Sequence, residues 1–340
     1  MIEKLGSVFD EFSFVTLTAL MQVQRHKLHQ QGCKPEELAK LAAWSGVSEE
    51  ILFPEPEMPV ISRKISKRTP QLFAVGVEYQ LEQLSFLSPM PTGNPSNDIV
   101  KAWWLYQPGR EKAPTIVFAH GWRAYDPHIW LRLPIGWVEM LGYNVLMLEL
   151  PFHMSRTPPG AQSGEMSITA DLTAGFEGAR QAVADIRAII KWLRGRGIKQ
   201  IGLLGKSLGG LMSGLVLVAE PSISCGVLII PAVSASASLW HSTYTRLVRK
   251  DLEKLGISEA QTEEALAAIN PANHKPAIDS QRILIIEAIA DRACPVSETE
   301  KLAQQWSAMI TRVPLGHMSA GFTSDGRRAA REFFLKWLAG

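Results

Sequence analysis

Ile201-Gly202-Leu203-Leu204-Gly205-Lys206-Ser207-Leu208-Gly209 runs into a second apolar stretch from Leu211 to Val218. A short apolar run, a serine between glycines and a longer apolar run read as strand, sharp turn and helix. On such a turn the serine takes a strained backbone conformation. The neighbouring glycines are needed because a Cβ there would collide with adjacent chain. The strain lifts the Ser207 hydroxyl above the edge of a sheet, where a base can reach it. Gly205-Lys206-Ser207 also imitates the end of a phosphate-binding loop, but that loop needs a glycine where Gln200 stands.

A serine hydroxyl is a weak nucleophile at neutral pH. It needs a general base, and the base needs a carboxylate to fix its tautomer. His317 ends Val313-Pro314-Leu315-Gly316-His317, just past the last strand candidate. It therefore falls at the sheet edge that carries Ser207. The acid is expected from the end of Ile283-Leu284-Ile285-Ile286-Glu287-Ala288-Ile289-Ala290-Asp291. Asp291 lies past the strand and is preferred, Glu287 at the strand terminus is the reserve, and Asp279 precedes the strand on the wrong edge. Acyl transfer also develops charge on an oxygen, which calls for fixed N–H donors. The backbone N–H of Leu208 supplies one. That of Trp122, in His120-Gly121-Trp122 after the Thr115 to Ala119 run, supplies the other. His120 is expected to brace this loop, and Lys206 to point away into a surface pair.

A net charge of +2 points to neither nucleic acid nor an anionic membrane as partner. Three scattered cysteines, Cys33, Cys225 and Cys294, suit neither a disulfide framework nor a zinc site. The first residues lack the order of a secretory signal, and no apolar stretch is long enough to span a bilayer. A soluble, cytoplasmic protein without metal or organic cofactor is the expectation; its oligomeric state is not legible.

Around the serine turn, strand candidates alternate with helices. They are Val75 to Leu87, Ile99 to Tyr106, Thr115 to Ala119, Tyr143 to Leu148, Lys199 to Leu204, Gly226 to Ile230, Ile283 to Ile286 and Thr311 to Leu315. The short all-apolar runs suit a parallel sheet covered on both faces. Phe176, Ala179, Val183, Ile186, Ile190 and Leu193 mark a helix with Arg180, Asp185, Arg187, Lys191 and Arg194 on its other face. The pattern predicts an α/β fold, a mostly parallel twisted sheet flanked by helices. Residues 1–70 read as an N-terminal helical extension and linker, helical over 12–52, with the basic cluster Arg63, Lys64, Lys67 and Arg68 as a solvated connector. Residues 71–340 read as the catalytic domain, with 232–276 as an inserted helical lid. A helix from Leu247 to Leu255 and another starting at Ser258, with Gln261 in capping-box position, fall in that insertion.

The order Ser207, Asp291, His317, the His120-Gly121-Trp122 segment and the helical insertion together resemble the α/β-hydrolase superfamily over residues 75–340. Within it, Leu150-Pro151-Phe152-His153 with Arg156-Thr157-Pro158 is similar to bacterial relatives of alpha/beta hydrolase domain-containing protein 18. The resemblance implies a Ser207–His317–Asp291 triad and hydrolysis of a small-molecule carboxylic ester or thioester through an acyl-enzyme. His153 and Arg156 are candidates for binding a substrate carboxylate, and Trp240, with Leu239 and Tyr244, for an apolar wall. A peptidase or amidase using the same triad and a non-catalytic binding protein are the alternatives.

Overall fold

The structure is a computed structural model describing residues 32–66, 78–320 and 323–339, without the side chains of 137–140. Its described strands are β1 (Ser62–Ile65), β2 (Gln80–Leu87), β3 (Ile99–Tyr106), β4 (Thr115–Ala119), β5 (Asn144–Leu148), β6 (Ile201–Lys206), β7 (Cys225–Ile229), β8 (Ile283–Ala288) and β9 (Met309–Val313). They form one sheet in the order β1-β2-β3-β5-β4-β6-β7-β8-β9. The first three pairings, β1 with β2, β2 with β3 and β3 with β5, are antiparallel. All pairings from β5 to β9 are parallel. β4 to β8 are buried along their whole length, as strands covered on both faces must be.

Helices longer than one turn are α1 (Pro35–Ala42), α2 (Pro127–Leu141), α3 (Leu172–Gly195), α4 (Leu208–Ala219), α5 (Ala235–His241), α6 (Arg246–Lys254), α7 (Glu259–Leu266), α8 (Val296–Trp306) and α9 (Ser324–Leu338). α4 is buried from Leu208 to Val218, which explains why its sequence is apolar all round. The insertion between β7 and β8 supplies α5, α6 and α7. α7 starts at the expected capping box of Ser258 and Gln261. Among the described residues no helix is long and apolar enough to cross a membrane.

Three expectations change. The basic stretch read as a connector contains β1, whose Ser62 to Ile65 pair with Ser85 to Glu82. Its exposed side chains hide a strand held through the backbone and by Arg63, which donates to Glu82 at 2.7 and 2.9 Å. Residues 12–31, 67 and 68, and 75–77 of the expected elements, lie outside the described residues. The polar face of α3 is also not a solvent face, since Arg180, Asp185 and Arg187 are buried. Arg180 donates to the carbonyl of Leu52 at 3.0 Å and Arg187 to that of Phe53 at 2.6 Å. The N-terminal segment thus covers α3, seating Leu38, Leu41, Leu52 and Phe53 in the main core.

Arg156 is the third change. It is fully buried, with its guanidinium 2.8 Å from the Asp185 carboxylate of α3. It also donates to the carbonyls of Asn97 and Glu149, each at 2.8 Å. Ser88 donates to the other Asp185 oxygen at 2.6 Å. Burial pushes the Asp185 carboxyl up, and Arg156 opposes that shift. Removing one member of such a pair strands the other charge in the interior. Asp185→Ala is expected to lower stability by about 3–5 kcal/mol, measured by urea unfolding, whereas Asp325→Ala, in an exposed pair with Arg328, changes it by about 0–1 kcal/mol.

Candidate active site

β6 ends in a turn whose centre, Ser207, has φ 55° and ψ −117°. An L-residue there carries strain of about 1–3 kcal/mol, so surrounding contacts must hold it. A Cβ on Gly205 would lie 2.2 Å from the Gly209 carbonyl oxygen, and one on Gly209 would lie 2.1 Å from that of Ala119. Both positions therefore require glycine, and the second packs the turn against the end of β4. The Ser207 N–H donates to Ile229 on β7 at 3.0 Å, and its carbonyl accepts from Ala232 at 3.1 Å.

Three strand ends converge here. His317 Nε2 lies 2.9 Å from Ser207 Oγ, and His317 Nδ1 lies 2.8 Å from Asp291 Oδ2. A carboxylate only accepts, so Nδ1 carries the proton and Nε2 presents its lone pair to the serine hydroxyl. The other Asp291 oxygen accepts from the N–H groups of Ala293 at 2.7 Å and Cys294 at 2.9 Å. Glu287, the reserve, is occupied elsewhere: Arg312 on β9 donates to it at 2.9 Å. Burial raises the Glu287 carboxyl, opposed by Arg312.

The loop after β4 closes the other side. A Cβ on Gly121 would stand 3.5 Å from that of Ser207, so Gly121-Trp122 runs beside the nucleophile position. The Trp122 indole donates to the Gly164 carbonyl at 2.7 Å. Leu208 is the first residue of α4, so its N–H is one of the donors a helix N-terminus leaves without an intrahelical partner. Lys206 does not reach the surface: it is buried, with its ammonium 5.8 Å from the centre of the Trp130 ring.

The remaining expected residues are scattered. Arg156 spends its donors on the buried network already described. His153 is fully buried, with Nδ1 2.8 Å from the Pro151 carbonyl and its ring 5.0 Å from that of His120. Trp240 is partly buried and its carbonyl accepts from Arg249 at 2.9 Å. Leu239, beside it, does line a cavity of about 60 Å³ with Leu172, Leu208, Leu211, Met212 and Ile269. Tyr244 sits 6.1 Å from the His317 ring, and Thr243 donates its N–H to the Arg292 carbonyl at 3.2 Å, so the insertion docks on the loop of Asp291. Cys294 went unnoticed as a site residue. Its thiol lies beside Asp291 and His317, the ligand atoms of the three all within 4.8 Å of one another, and burial, with Asp291 second, pushes it well above the ordinary thiol range. The adjacent Cys294-Pro295 turn was visible, but nothing in the sequence aims its sulfur.

This architecture is the α/β-hydrolase fold. A model of the prolyl oligopeptidase family matches residues 176–328. An uncharacterized protein found in two strains of Mycobacterium tuberculosis is 29% identical over 212 residues, covering 61% of this chain and 50% of the relative. The chain thus spans about half the length of the curated relatives it matches. Among solved structures, acetyl xylan esterase from Paenibacillus sp. R4 superposes with a TM-score of 0.64 at 14% identity, over 88% of this chain and 99% of that one. Acetyl xylan esterase 1 from Thermoanaerobacterium sp. JW/SL YS485 gives 0.58 at 17%, over 90% and 96%. Acylaminoacyl peptidase from Pyrococcus horikoshii gives 0.53 at 16%, over 81% and 51%.

His120 braces the loop. Its Nδ1 bonds the Gly121 carbonyl at 2.8 Å and its Nε2 accepts from the Leu150 N–H at 3.0 Å. Burial pulls it from 6.5 down to about 4. The unfolded chain therefore binds the proton more readily, so stability is complete above about 6.5 and is lost as pH falls toward 4. The expected loss is about 3 kcal/mol, read from urea midpoints at pH 7 and pH 4. His120→Asn is expected to flatten that acid limb while lowering stability at pH 7.

Proposed function

We propose that the chain is a serine hydrolase working through an acyl-enzyme, with Ser207 as nucleophile, His317 as general base and then acid, and Asp291 as its orienting carboxylate. The observation carrying this reading is the continuous hydrogen-bonded path from Ser207 Oγ through His317 to Asp291, starting on a strained, glycine-flanked turn. His317 Nε2 takes the Ser207 proton as Oγ attacks the acyl carbon, and the Leu208 and Trp122 backbone N–H groups receive the developing oxyanion. The same proton passes to the leaving group as its bond breaks. Water, deprotonated by His317, then releases the acid. The helices of 232–276 act as the lid.

Two classes of scissile bond fit these steps. The family match over residues 176–328 supports an amide, as in a peptidase or amidase. The ester or thioester reading draws on the sequence alone, and the narrower likeness to relatives of alpha/beta hydrolase domain-containing protein 18 rests on residues 150–158. We therefore place the amide first. The cavity beside Leu208 is apolar and about 60 Å³, where a single water needs roughly 10–15 Å³. It suits a short apolar acyl group or side chain.

A fluorophosphonate is expected to leave one adduct on the native protein and none on Ser207→Ala, by intact mass. No adduct on folded wild type would return the non-catalytic reading. Asp291→Asn is expected to cut turnover by about 10⁴-fold, and Glu287→Gln to leave it within a few-fold. Matched aryl amides and esters carrying acyl groups from acetyl to octanoyl decide the rest. Amide hydrolysis is expected, with kcat/KM highest for short acyl groups; cleavage of esters alone would restore the ester reading, and a rise to octanoyl would remove the cavity from the site.

A further inference from the structure

A hydrogen bond joins Asp291 to His317, but it does not account for the thiol gathered beside them. Asp291, Cys294 and His317 each offer a ligand atom, and these atoms lie within 4.8 Å of one another. All are well buried: the Asp291 and His317 side chains are 3% and 10% exposed, and Cys294 is 5% exposed. Of the chain's cysteines, Cys225 lies within the core strand β7, where it serves as a small apolar side chain. Cys294 instead lies beside the Asp291 carboxylate and the His317 imidazole.

We infer that Asp291, Cys294 and His317 form a binding site for a thiophilic divalent cation of the zinc class, and that occupancy switches the proposed hydrolase off. Sulfur, imidazole nitrogen and carboxylate oxygen together are a zinc donor set; magnesium and calcium prefer oxygen alone. Zinc bonds of about 2.0–2.3 Å set ligand atoms roughly 3.5 Å apart, so side-chain shifts of about 1 Å close the site. On binding, the Cys294 S–H bond breaks, its electron pair forms the sulfur–metal bond and the proton leaves to solvent. The metal gives up water molecules in exchange, and Ser207 Oγ or one remaining water completes the coordination. The proton on His317 Nδ1 moves through solvent to Nε2, the Nδ1 lone pair binds the metal, and Nε2, now an N–H donor, can no longer take the Ser207 proton. The inhibitory half of this inference rests on the proposed role of His317, while the binding half does not.

The test uses the full chain after chelator treatment. Titrated with Co²⁺, wild type is expected to develop the near-ultraviolet thiolate-to-cobalt charge-transfer band. Cys33→Ala and Cys225→Ala should keep the band, and Cys294→Ala should lose it. In parallel, Zn²⁺ is expected to slow fluorophosphonate labelling of wild type, reversibly with chelator. In Cys294→Ala the zinc needed should rise by at least the roughly 10- to 100-fold that losing even an outer-shell partner costs. Circular dichroism confirms that each variant is folded. Absence of the band in folded wild type, its loss in Cys33→Ala or Cys225→Ala instead, or unchanged zinc sensitivity in Cys294→Ala would each overturn the site. Failure of metal-free wild type to label would sink the hydrolase reading, and the cobalt spectrum would still decide the binding site.

Discussion

The contact of Gly209 with the last carbonyls of β4 governs the geometry around it. A Cβ at Gly209 would stand 2.1 Å from the Ala119 oxygen and 2.4 Å from that of His120. Only a chain without side chain can pass there, and passing there brings the serine turn against the His120-Gly121-Trp122 loop. The backbone cost of Ser207 at φ 55° is held by packing on both sides. Ile229 and Ala232 bond the serine's own peptide groups, so β7 and the start of the insertion enforce the same conformation. The parallel pairing of β4, β6, β7, β8 and β9 then delivers Asp291 and His317 to the same edge.

The parts of this arrangement set by local rules were legible in the sequence. Strand, glycine, serine, glycine, helix is a pattern that neighbouring residues enforce, and short apolar strands declare a doubly covered sheet. Asp291 and His317 were expected together because loop residues past parallel strands share an edge, and their side chains meet at 2.8 Å. What stayed hidden depends on distant chain. β1 carries no apolar alternation, because an exposed edge strand is held by backbone pairing and its partner Glu82 lies far along the sequence. Arg180, Asp185 and Arg187 look like a solvent face until the segment around Leu52 and Phe53 is laid over them. Arg156 and His153 sit on a loop at the active edge, yet both turn inward. Lys206 is likewise drawn under Trp130, and Trp240 stays off the cavity wall that its neighbour Leu239 lines.

Buried charge follows a division of labour. On one side of the sheet, Arg156 and Asp185 tie the loop after β5 to α3, with Ser88 and Asn97 completing the network. At the site, two ionisable groups are oriented by backbone: Asp291 by two N–H groups, and His120 by a carbonyl and an N–H. Backbone groups do not titrate, so these particular bonds persist whatever the charge state of neighbouring side chains.

The bonds from Thr243 to the Arg292 carbonyl have a consequence for how the molecule can be recombined. They join the insertion to the loop bearing Asp291, and Tyr244 adds a ring contact to His317. The insertion and the Asp291 loop are thus one mechanical unit, although the sequence separates them by β8. A chimaera that exchanged the helices of 232–276 with those of another protein of this fold would disturb the Asp291 loop as well as the cavity beside Leu239. The natural module for exchange runs from the end of β7 through the Asp291 loop.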